Sequence, residues 1–204
     1  MKTDRLEREQ AMILHDRSYW SQFVRVAGMD EAGRGPLAGD VVAACVIMPP
    51  EPVLDWVDDS KKLSPQRREA VYEKILSTAL YVGVGRASAA EIDEINILQA
   101  TKNAMRRAAA DANADVYLID AVKNLGLTGA EIPIIHGDAV SYSIAAGSIV
   151  AKVTRDREII ELSKVYPQYG FEKHKGYGTA EHIAAIRQHG PCPIHRMTFI
   201  RKFL

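Results

Sequence analysis

The sequence predicts an α/β fold in which a central mixed β-sheet is flanked by helices and followed by a helical C-terminal region. Short apolar runs of strand length alternate along the chain with longer segments of helical pattern. Glycines separate the first two apolar runs, as expected for a hairpin at the centre of the sheet. The 204 residues are 47% apolar and 25% charged, a balance typical of an ordinary globular protein with a sizeable core.

The first elements are a helix and two strands. Residues 3–19 have the pattern of a mostly polar helix, and we expect residues 1–22 to form a helical appendage on a single domain of residues 23–204. Residues 24–30 are predicted to form the first strand, in which an apolar run leads up to Asp30. Residues 41–48 are continuously apolar and end at two prolines, which predicts a buried strand.

The middle of the chain supplies two helices and a third strand. Ser64 is a good N-cap and Pro65 suits the first helical position, so a helix is predicted over residues 64–79. Residues 81–86 alternate apolar and small side chains, as a strand does. A second helical region is predicted from residue 91 to about residue 113.

Two strands and two helices complete the predicted fold. Short apolar runs at 115–120 and 132–135 predict strands, and residues 141–165 predict a long helix. Small residues around Gly147 let that helix pack closely on the sheet, although the glycine costs about 1 kcal/mol of helix stability relative to Ala. Residues 179–189 have the pattern of a last helix.

Charge is unevenly distributed along this neutral chain. Residues 1–150 hold 16 Lys and Arg against 21 Asp and Glu, whereas residues 151–204 hold 10 against 5. A basic C-terminal quarter suits a protein that binds phosphates with one region and cations with another, although ordinary surface variation accounts for it equally well.

The sequence also limits where the protein works. No stretch reaches the roughly 20 apolar residues of a membrane span, and the charged N-terminus lacks the apolar core of a signal peptide. We therefore expect a cytoplasmic protein without a membrane partner. Its two cysteines, Cys45 and Cys192, are then expected to be free thiols.

Acidic residues follow three of the apolar runs. Asp30 and Glu31 follow the first run, Asp120 ends the fourth and Asp138 comes shortly after the fifth. Ligand sites in α/β sheets form where strands end, so these side chains are expected to converge. Clustered carboxylates repel one another unless a cation such as Mg²⁺ neutralises them. Each acid alone fits a cap or a turn as well, and position leaves both interpretations open.

Several motifs in order resemble the ribonuclease HII family of type 2 ribonucleases H. The resemblance covers residues 27–199, and DEAGRG is the most specific single match. The matching segments are AGMDEAGRGPLAGDVVAACVIMP at 27–49, DSKKLS at 59–64, EIDEINILQATKNAMRRA at 91–108, LID at 118–120, GDAVSYSIAAGSIVAKVTRD at 137–156, HKGYGT at 174–179 and HGPCPIHRMTF at 189–199.

The resemblance implies a ribonuclease H-like fold and a set of catalytic carboxylates. By motif these fall on Asp30, Glu31, Asp120 and Asp138, the same four that the strand ends indicate. The family pattern implies that they hold two Mg²⁺ or Mn²⁺ ions around the scissile phosphate.

The resemblance also implies substrate-binding residues. The turn formed by Gly33, Arg34 and Gly35 matches the family segment that recognises the ribose 2′-OH, the group that separates RNA from DNA. Tyr177 matches a tyrosine that packs on the sugar at the RNA–DNA junction, although it also fits a surface turn. Expected phosphate contacts are Ser60, Lys61, Lys62, Ser64, Lys152 and Arg155, with a basic patch at His195–Arg196 and Arg201–Lys202.

Some positions have two interpretations or depart from the family pattern. Lys152 also fits an ion pair with Asp156 on one helix face. Asp40, Ala121 and Val140 differ from the residues usual in the family, which affects the expected phosphate contacts and leaves the four acids untouched.

The implied protein is a monomeric endoribonuclease. It would hydrolyse the RNA strand of RNA–DNA hybrids and cut on the 5′ side of single ribonucleotides in duplex DNA, leaving 3′-OH and 5′-phosphate ends. Such an enzyme serves ribonucleotide excision repair and primer removal. The alternatives are a ribonuclease HIII-like nuclease, which carries an extra N-terminal domain and usually a Glu as fourth acid, a non-catalytic hybrid binder, and a junction resolvase or integrase.

Overall fold

A five-stranded mixed sheet lies at the centre of the protein, in a computed structural model that describes residues 2–204, with side chains from residue 5 onward. The strands are β1 (Val26–Ala32), β2 (Val41–Ile47), β3 (Tyr81–Ala87), β4 (Val116–Asp120) and β5 (Ala130–Ile134). Their spatial order is β3-β2-β1-β4-β5. The first three pair antiparallel, and β4 and β5 continue the sheet parallel to β1. The predicted mixed sheet, with the β1–β2 hairpin at its centre, is confirmed.

Helices cover both faces of this sheet and form the C-terminal region, as predicted. They are α1 (Lys2–Trp20), α2 (Pro65–Thr78), α3 (Ala89–Ala109), α4 (Tyr142–Val165), α5 (Phe171–His174), α6 (Ala180–His189) and α7 (Met197–Ile200). Short 3-10 turns occur at Gly137–Ala139, Pro167–Tyr169 and Arg201–Phe203. Hydroxyl side chains cap the N-termini of four helices by accepting a backbone N–H three residues on, namely Ser64, Ser88, Ser141 and Thr179.

Several boundaries differ from the prediction for identifiable reasons. Strand β1 starts at Val26, two residues later than predicted. It continues through Ala32 because β2 pairs with it up to Ala32, which lies opposite Val42. Asp30 and Glu31 therefore both lie within the strand, and the expectation that Glu31 follows it was wrong. Helix α3 starts earlier than predicted, after its Ser88 cap, and is kinked at Asn96, whose φ is 68°. The short helices α5 and α7 were not predicted.

Helix α4 lies unusually close to β1. A Cβ atom on Gly28 would come within 1.9 Å of the Ser143 carbonyl carbon, and one on Gly147 within 3.1 Å of the Gly28 oxygen. Ala145 and Ala146 are fully buried in the same interface. The predicted close packing is thus confirmed, and it explains a glycine that weakens the isolated helix.

Helix α1 is anchored to α4 through a buried carboxylate. Met12 and Asp16 are buried on its inner face. Asp16 Oδ2 accepts hydrogen bonds from the Ser143 amide at 2.7 Å and from Ser141 Oγ at 3.1 Å. Negative charge is favourable at a helix N-terminus, so this contact stabilises the start of α4. Residue 1 of the predicted 1–22 appendage lies outside the described residues.

Two further expectations can be compared with the fold. Cys45 and Cys192 are free thiols, as predicted. Burial raises the pKa of Cys45 to about 12, so that thiol stays protonated. None of the helices within residues 2–204 combines the length and apolar character needed to cross a bilayer.

Candidate active site

The sheet brings the predicted acids to one edge. Asp30 and Glu31 lie on β1, and Asp120 is the last residue of the neighbouring parallel strand β4. Met29 pairs with Ile119 in the β1–β4 register, which places Asp30 beside Asp120. Asp138 lies in the 3-10 turn that follows β5. The expected convergence of these three sites is confirmed.

Burial and neighbouring charges raise the pKa of three of these carboxyl groups, those of Asp30, Glu31 and Asp120. The pKa of Asp30 is raised well above its ordinary value by burial first, and then by the charges of Glu31 and Asp120. Burial also raises the pKa of Glu31, against the lowering effect of Arg34. The pKa of Asp120 is raised by burial and by the charge of Asp138, although its hydrogen bond to Gly137 opposes the shift.

Backbone amides fix two of the carboxylates. Asp30 Oδ1 accepts the Glu31 amide at 2.7 Å, and Asp120 Oδ1 accepts the Gly137 amide at 2.7 Å. Each therefore keeps one oxygen in a defined position and leaves the other for a further partner.

The two remaining acids face cationic side chains. Lys61 Nζ donates to Asp138 Oδ2 at 3.2 Å, and Arg34 Nη1 lies 3.4 Å from Glu31 Oε1. Glu31 Oε2 is buried and accepts no hydrogen bond. A buried carboxylate oxygen without a donor is costly unless a cation satisfies it.

The donor chemistry fits a hard divalent cation, while the present side-chain arrangement is not a closed metal cage. Carboxylate oxygens are the ligands that Mg²⁺ prefers, and the orphaned Glu31 oxygen needs a positive partner. However, no three Asp, Glu, His or Cys side chains among the described residues are arranged so that they could hold one ion between them. The Lys61 ammonium group neutralises Asp138 in this arrangement.

A cavity of about 300 Å³ adjoins the acids and contains most of the predicted site. Its floor is formed by Asp30 and Glu31, and its opening by Tyr177, which is 45% exposed. The further predicted residues that line it are Gly33, Arg34, Gly35, Ser60, Lys61 and Lys152. Asp120, Asp138, Lys62 and Arg155 are not part of the lining.

Besides Arg34 and Lys61, two more of the predicted basic residues are held in ion pairs. Lys152 Nζ donates to Asp156 Oδ1 at 2.8 Å, so the expected pair on one face of α4 is confirmed, although Lys152 also lines the cavity. Lys62 lies 3.8 Å from carboxylate oxygens of Asp58 and Asp59.

Arg155 is an interior residue. Its Nη2 donates to the carbonyls of Ala38 and Lys175, and its Nε donates to the carbonyl of Asp40. A Cβ atom on Gly33 would lie 2.1 Å from this Nε. The guanidinium group therefore packs directly behind the Gly-Arg-Gly turn and is not presented at the surface.

Arg196 is a second buried arginine behind the same turn. It is fully buried and donates five hydrogen bonds to four main-chain carbonyls, those of Gly33, Arg34, Pro36 and Gly39. Burial, together with the charge of Arg155, lowers the pKa of Arg196 to about 9, which leaves it protonated at neutral pH. His195 is also buried. The expectation of an exposed basic patch at His195–Arg196 was therefore wrong, because both side chains point into the protein.

Ser148 is a cavity residue that sequence reasoning missed. Its hydroxyl lies 2.9 Å from Ser60 Oγ, and its hydrogen bond to Asp30 lowers the pKa of that carboxyl against the larger effect of burial. Its position one helical turn after Ile144, on the α4 face packed against β1, was the available signal.

Comparisons with known proteins agree with the fold and identify the family. A family model described as Ribonuclease HII matches residues 27–202. A ribonuclease HII of Ruminiclostridium cellulolyticum is 49% identical, over 100% of this chain and 81% of the relative. One of Bacillus licheniformis is 53% identical, over 95% of this chain and 76% of the relative. The crystal structure of the ribonuclease H2 from Pyrococcus horikoshii OT3 superposes with a TM-score of 0.75 at 28% identity, covering 88% of this chain and 96% of that one.

Proposed function

Because this chain belongs to the ribonuclease HII family of nucleic-acid endonucleases, we propose that it cuts on the 5′ side of single ribonucleotides in duplex DNA. It would also hydrolyse the RNA strand of RNA–DNA hybrids, leaving 3′-OH and 5′-phosphate ends. The observation that supports this proposal is the shared cavity, in which buried Asp30 and Glu31 adjoin the turn of Gly33, Arg34 and Gly35.

The four acids have the chemistry to hold metal ions. We propose that Asp30, Glu31, Asp120 and Asp138 bind two Mg²⁺ or Mn²⁺ ions, which supply Lewis-acid stabilisation of the charge that develops on the phosphate and its leaving oxygen. Lys61 would exchange its contact with Asp138 for a phosphate oxygen, since its side chain is 77% exposed and free to move.

Recognition of the ribonucleotide falls to the turn and to Tyr177. The glycines let main-chain groups approach the 2′-OH, and Arg196 holds the turn by donating to the carbonyls of Gly33 and Arg34. Tyr177 would pack on the adjoining sugar. Ser60, Lys61 and Lys152 line the cavity where phosphates would pass, and Lys62 extends this contact nearby. Arg155 would act on substrate only through the turn that it supports.

The biological setting follows from this chemistry. We propose a monomer with a single catalytic domain of residues 23–204 and a helical appendage of residues 1–22, acting in the cytoplasm in ribonucleotide excision repair and primer removal.

The test uses a labelled DNA duplex containing one ribonucleotide. We expect cutting 5′ to the ribonucleotide with Mg²⁺ or Mn²⁺ and none with EDTA. An Asp120→Asn variant should lose at least about 100-fold in rate. Cutting only within runs of several ribonucleotides would favour a ribonuclease HIII-like specificity. Binding of hybrids without cutting, under every metal condition, would make the protein a non-catalytic binder.

A further inference from the structure

A chain of hydrogen bonds runs through the buried side chains behind Tyr177. The Cys192 amide donates to His195 Nδ1 at 2.9 Å. His195 Nε2 lies 3.0 Å from His182 Nε2, and His182 Nδ1 lies 2.9 Å from the Tyr177 carbonyl oxygen. His182 is fully buried and His195 is 3% exposed, so water does not substitute for these partners.

The two ends of this chain determine where its protons lie. The Cys192 amide can only donate, so His195 Nδ1 is the accepting nitrogen and Nε2 carries the hydrogen. That hydrogen points at His182 Nε2, which must then accept. His182 Nδ1 carries the hydrogen and donates to the Tyr177 carbonyl, which can only accept. The Cys192 end and the Tyr177 end of the chain therefore require the same neutral tautomers, with the hydrogen on Nε2 of His195 and on Nδ1 of His182.

We propose that His182 and His195 are positioning residues for Tyr177, and that their one-directional hydrogen-bond chain fixes its main chain so that the ring faces the cavity. The inference rests on the proposed function in that Tyr177 is taken to contact the sugar. Neither histidine lines the cavity, so each acts only through Tyr177.

Tyr177 needs such an anchor because of its neighbours in sequence. Gly176, with a φ of +81°, and Gly178 flank it, and glycine restricts the chain less than any other residue. Three hydrogen bonds restrain its backbone. The amide donates to the His174 carbonyl at 2.9 Å, and the carbonyl accepts from the Thr179 amide at 2.8 Å and from His182. Of the three, only the His182 bond comes from a side chain.

The chain holds only while both histidines are neutral. A proton added to His195 Nδ1 would face the Cys192 amide, and one added to His182 Nε2 would face the hydrogen of His195. The other groups that face the pair are His174, stacked on His182 at 4.5 Å, the Tyr169 ring, 4.8 Å from His195, and the Cys192 thiol. None of these is an anion at neutral pH, since burial raises the pKa of Cys192 and of Tyr169.

The first test is spectroscopic and does not depend on nuclease activity. Long-range ¹H–¹⁵N correlation spectra of the wild-type protein at pH 7 distinguish protonated from unprotonated ring nitrogens. We expect a hydrogen on Nε2 of His195 and on Nδ1 of His182. The opposite tautomer of either ring, or a doubly protonated ring, would overturn the inference.

The second test compares two substitutions of His182. Asn places an amide donor near the position of Nδ1 and so keeps a bond to the Tyr177 carbonyl, whereas Leu has similar bulk and no donor. For cutting at a single ribonucleotide we expect His182→Leu to raise KM about tenfold with a smaller change in kcat, and His182→Asn to recover most of that loss. An Asn variant as impaired as the Leu variant would overturn the inference.

A double-mutant cycle separates positioning from general damage to the fold. If His182 acts through Tyr177, His182→Leu should have little further effect on KM in a Tyr177→Ala background. An equally large effect in that background would show a structural role unrelated to the ring, against the inference. If the wild-type protein does not cut, the proposed function fails, and the tautomer measurement still decides whether the chain exists.

Discussion

The site contains two kinds of buried charged residue, the acids on β1 and two arginines behind the Gly-Arg-Gly turn. The acids on β1 are buried beside one another, so their charges destabilise the folded protein. The guanidinium groups of Arg155 and Arg196 are also buried, but main-chain carbonyls accept from every nitrogen of Arg196 and from Nε and Nη2 of Arg155, and only Nη1 of Arg155 lacks a partner. The carboxylates have the chemistry to bind a cation, whereas Arg196 stabilises the turn whose carbonyls it binds.

Replacing Asp30 by Asn should stabilise the protein while abolishing its activity. The folded pKa of Asp30 lies above its ordinary value, so the unfolded chain gives up this proton at lower pH, and ionisation at pH 7 opposes folding. In EDTA we expect the free energy of unfolding to rise by about 1 kcal/mol and the cutting rate to fall at least about 100-fold. Urea denaturation and the single-ribonucleotide assay measure the two effects.

The control for this substitution is Asp111→Asn, at an exposed position. It should change neither quantity. An Asp30→Asn protein that is less stable than wild type in EDTA would contradict the expected repulsion among the acids.

Replacing Arg196 by Lys should damage the recognition turn even though the charge is kept. A lysine ammonium group cannot reproduce the planar set of five hydrogen bonds to four carbonyls. We expect a loss of about 3 kcal/mol in the free energy of unfolding and weaker discrimination between a ribonucleotide and a deoxyribonucleotide duplex. Arg187→Lys, at an exposed position of α6, is the matched control and should leave both properties unchanged. Equal discrimination in the two variants would argue against a supporting role for Arg196.

Helix α4 connects the elements on which the site depends. Its middle packs on β1 beside Asp30, and its N-terminus follows the 3-10 turn that carries Asp138. Asp16 of α1 binds that N-terminus. The first helix, which the sequence suggested to be a surface appendage, therefore contacts the element next to one of the candidate metal ligands.

Removing the Asp16 carboxylate should loosen the start of α4. For Asp16→Ala we expect a loss of about 2 to 3 kcal/mol in the free energy of unfolding, because a buried amide and a buried hydroxyl lose a charged acceptor. Faster amide hydrogen exchange should be confined to the first turn of α4 and the preceding 3-10 turn. Glu7→Ala, on the exposed face of α1, should change stability by less than about 0.5 kcal/mol. Unchanged exchange in Asp16→Ala would contradict this account.

The elements that the sequence predicted are those with strong local signals. The apolar runs indicated all five strands, and the Ser64 cap followed by Pro65 indicated the start of α2. The end of β1 was missed because acidic residues are uncommon within strands, and pairing with β2 overrode that preference. The burial of Arg196 was not predicted, because its partners are main-chain carbonyls and these leave no charge pattern in the sequence. The same holds for the pairing of His182 with His195, which only the tertiary fold brings together.

At the scale of the whole molecule, two groups of residues respond to acid in opposite directions. Asp30, Glu31 and Asp120 have raised pKa values in the folded protein, so their contribution to the free energy of unfolding increases as the pH falls. Burial lowers the pKa of His182, and burial together with His182 lowers that of His195 to about 4. The contribution of these histidines to the free energy of unfolding decreases as the pH falls, because they bind protons at a higher pH in the unfolded chain than in the folded protein.

The contribution of the two histidines to the free energy of unfolding should therefore decrease from about pH 6.5, the ordinary histidine pKa, towards pH 4. Each histidine contributes at most about 1.4 kcal/mol per pH unit. Urea denaturation at pH 7, 6 and 5 measures this slope, and the Asp30→Asn background removes part of the opposing contribution. His195→Gln should flatten the slope. A slope that is the same in His195→Gln as in wild type would assign the pH dependence to other groups.

The contact between Arg196 and the Gly-Arg-Gly turn also has a consequence for biosynthesis. The turn is made within the first 35 residues, but the side chain that ties its carbonyls together is added only at position 196. On the ribosome, the acids of β1 and β4 are translated long before the Gly-Arg-Gly turn receives this support. A nascent or prematurely terminated chain would therefore carry these acids beside a turn whose carbonyls are not yet tied together, so the cavity is complete only once nearly the whole chain has been made.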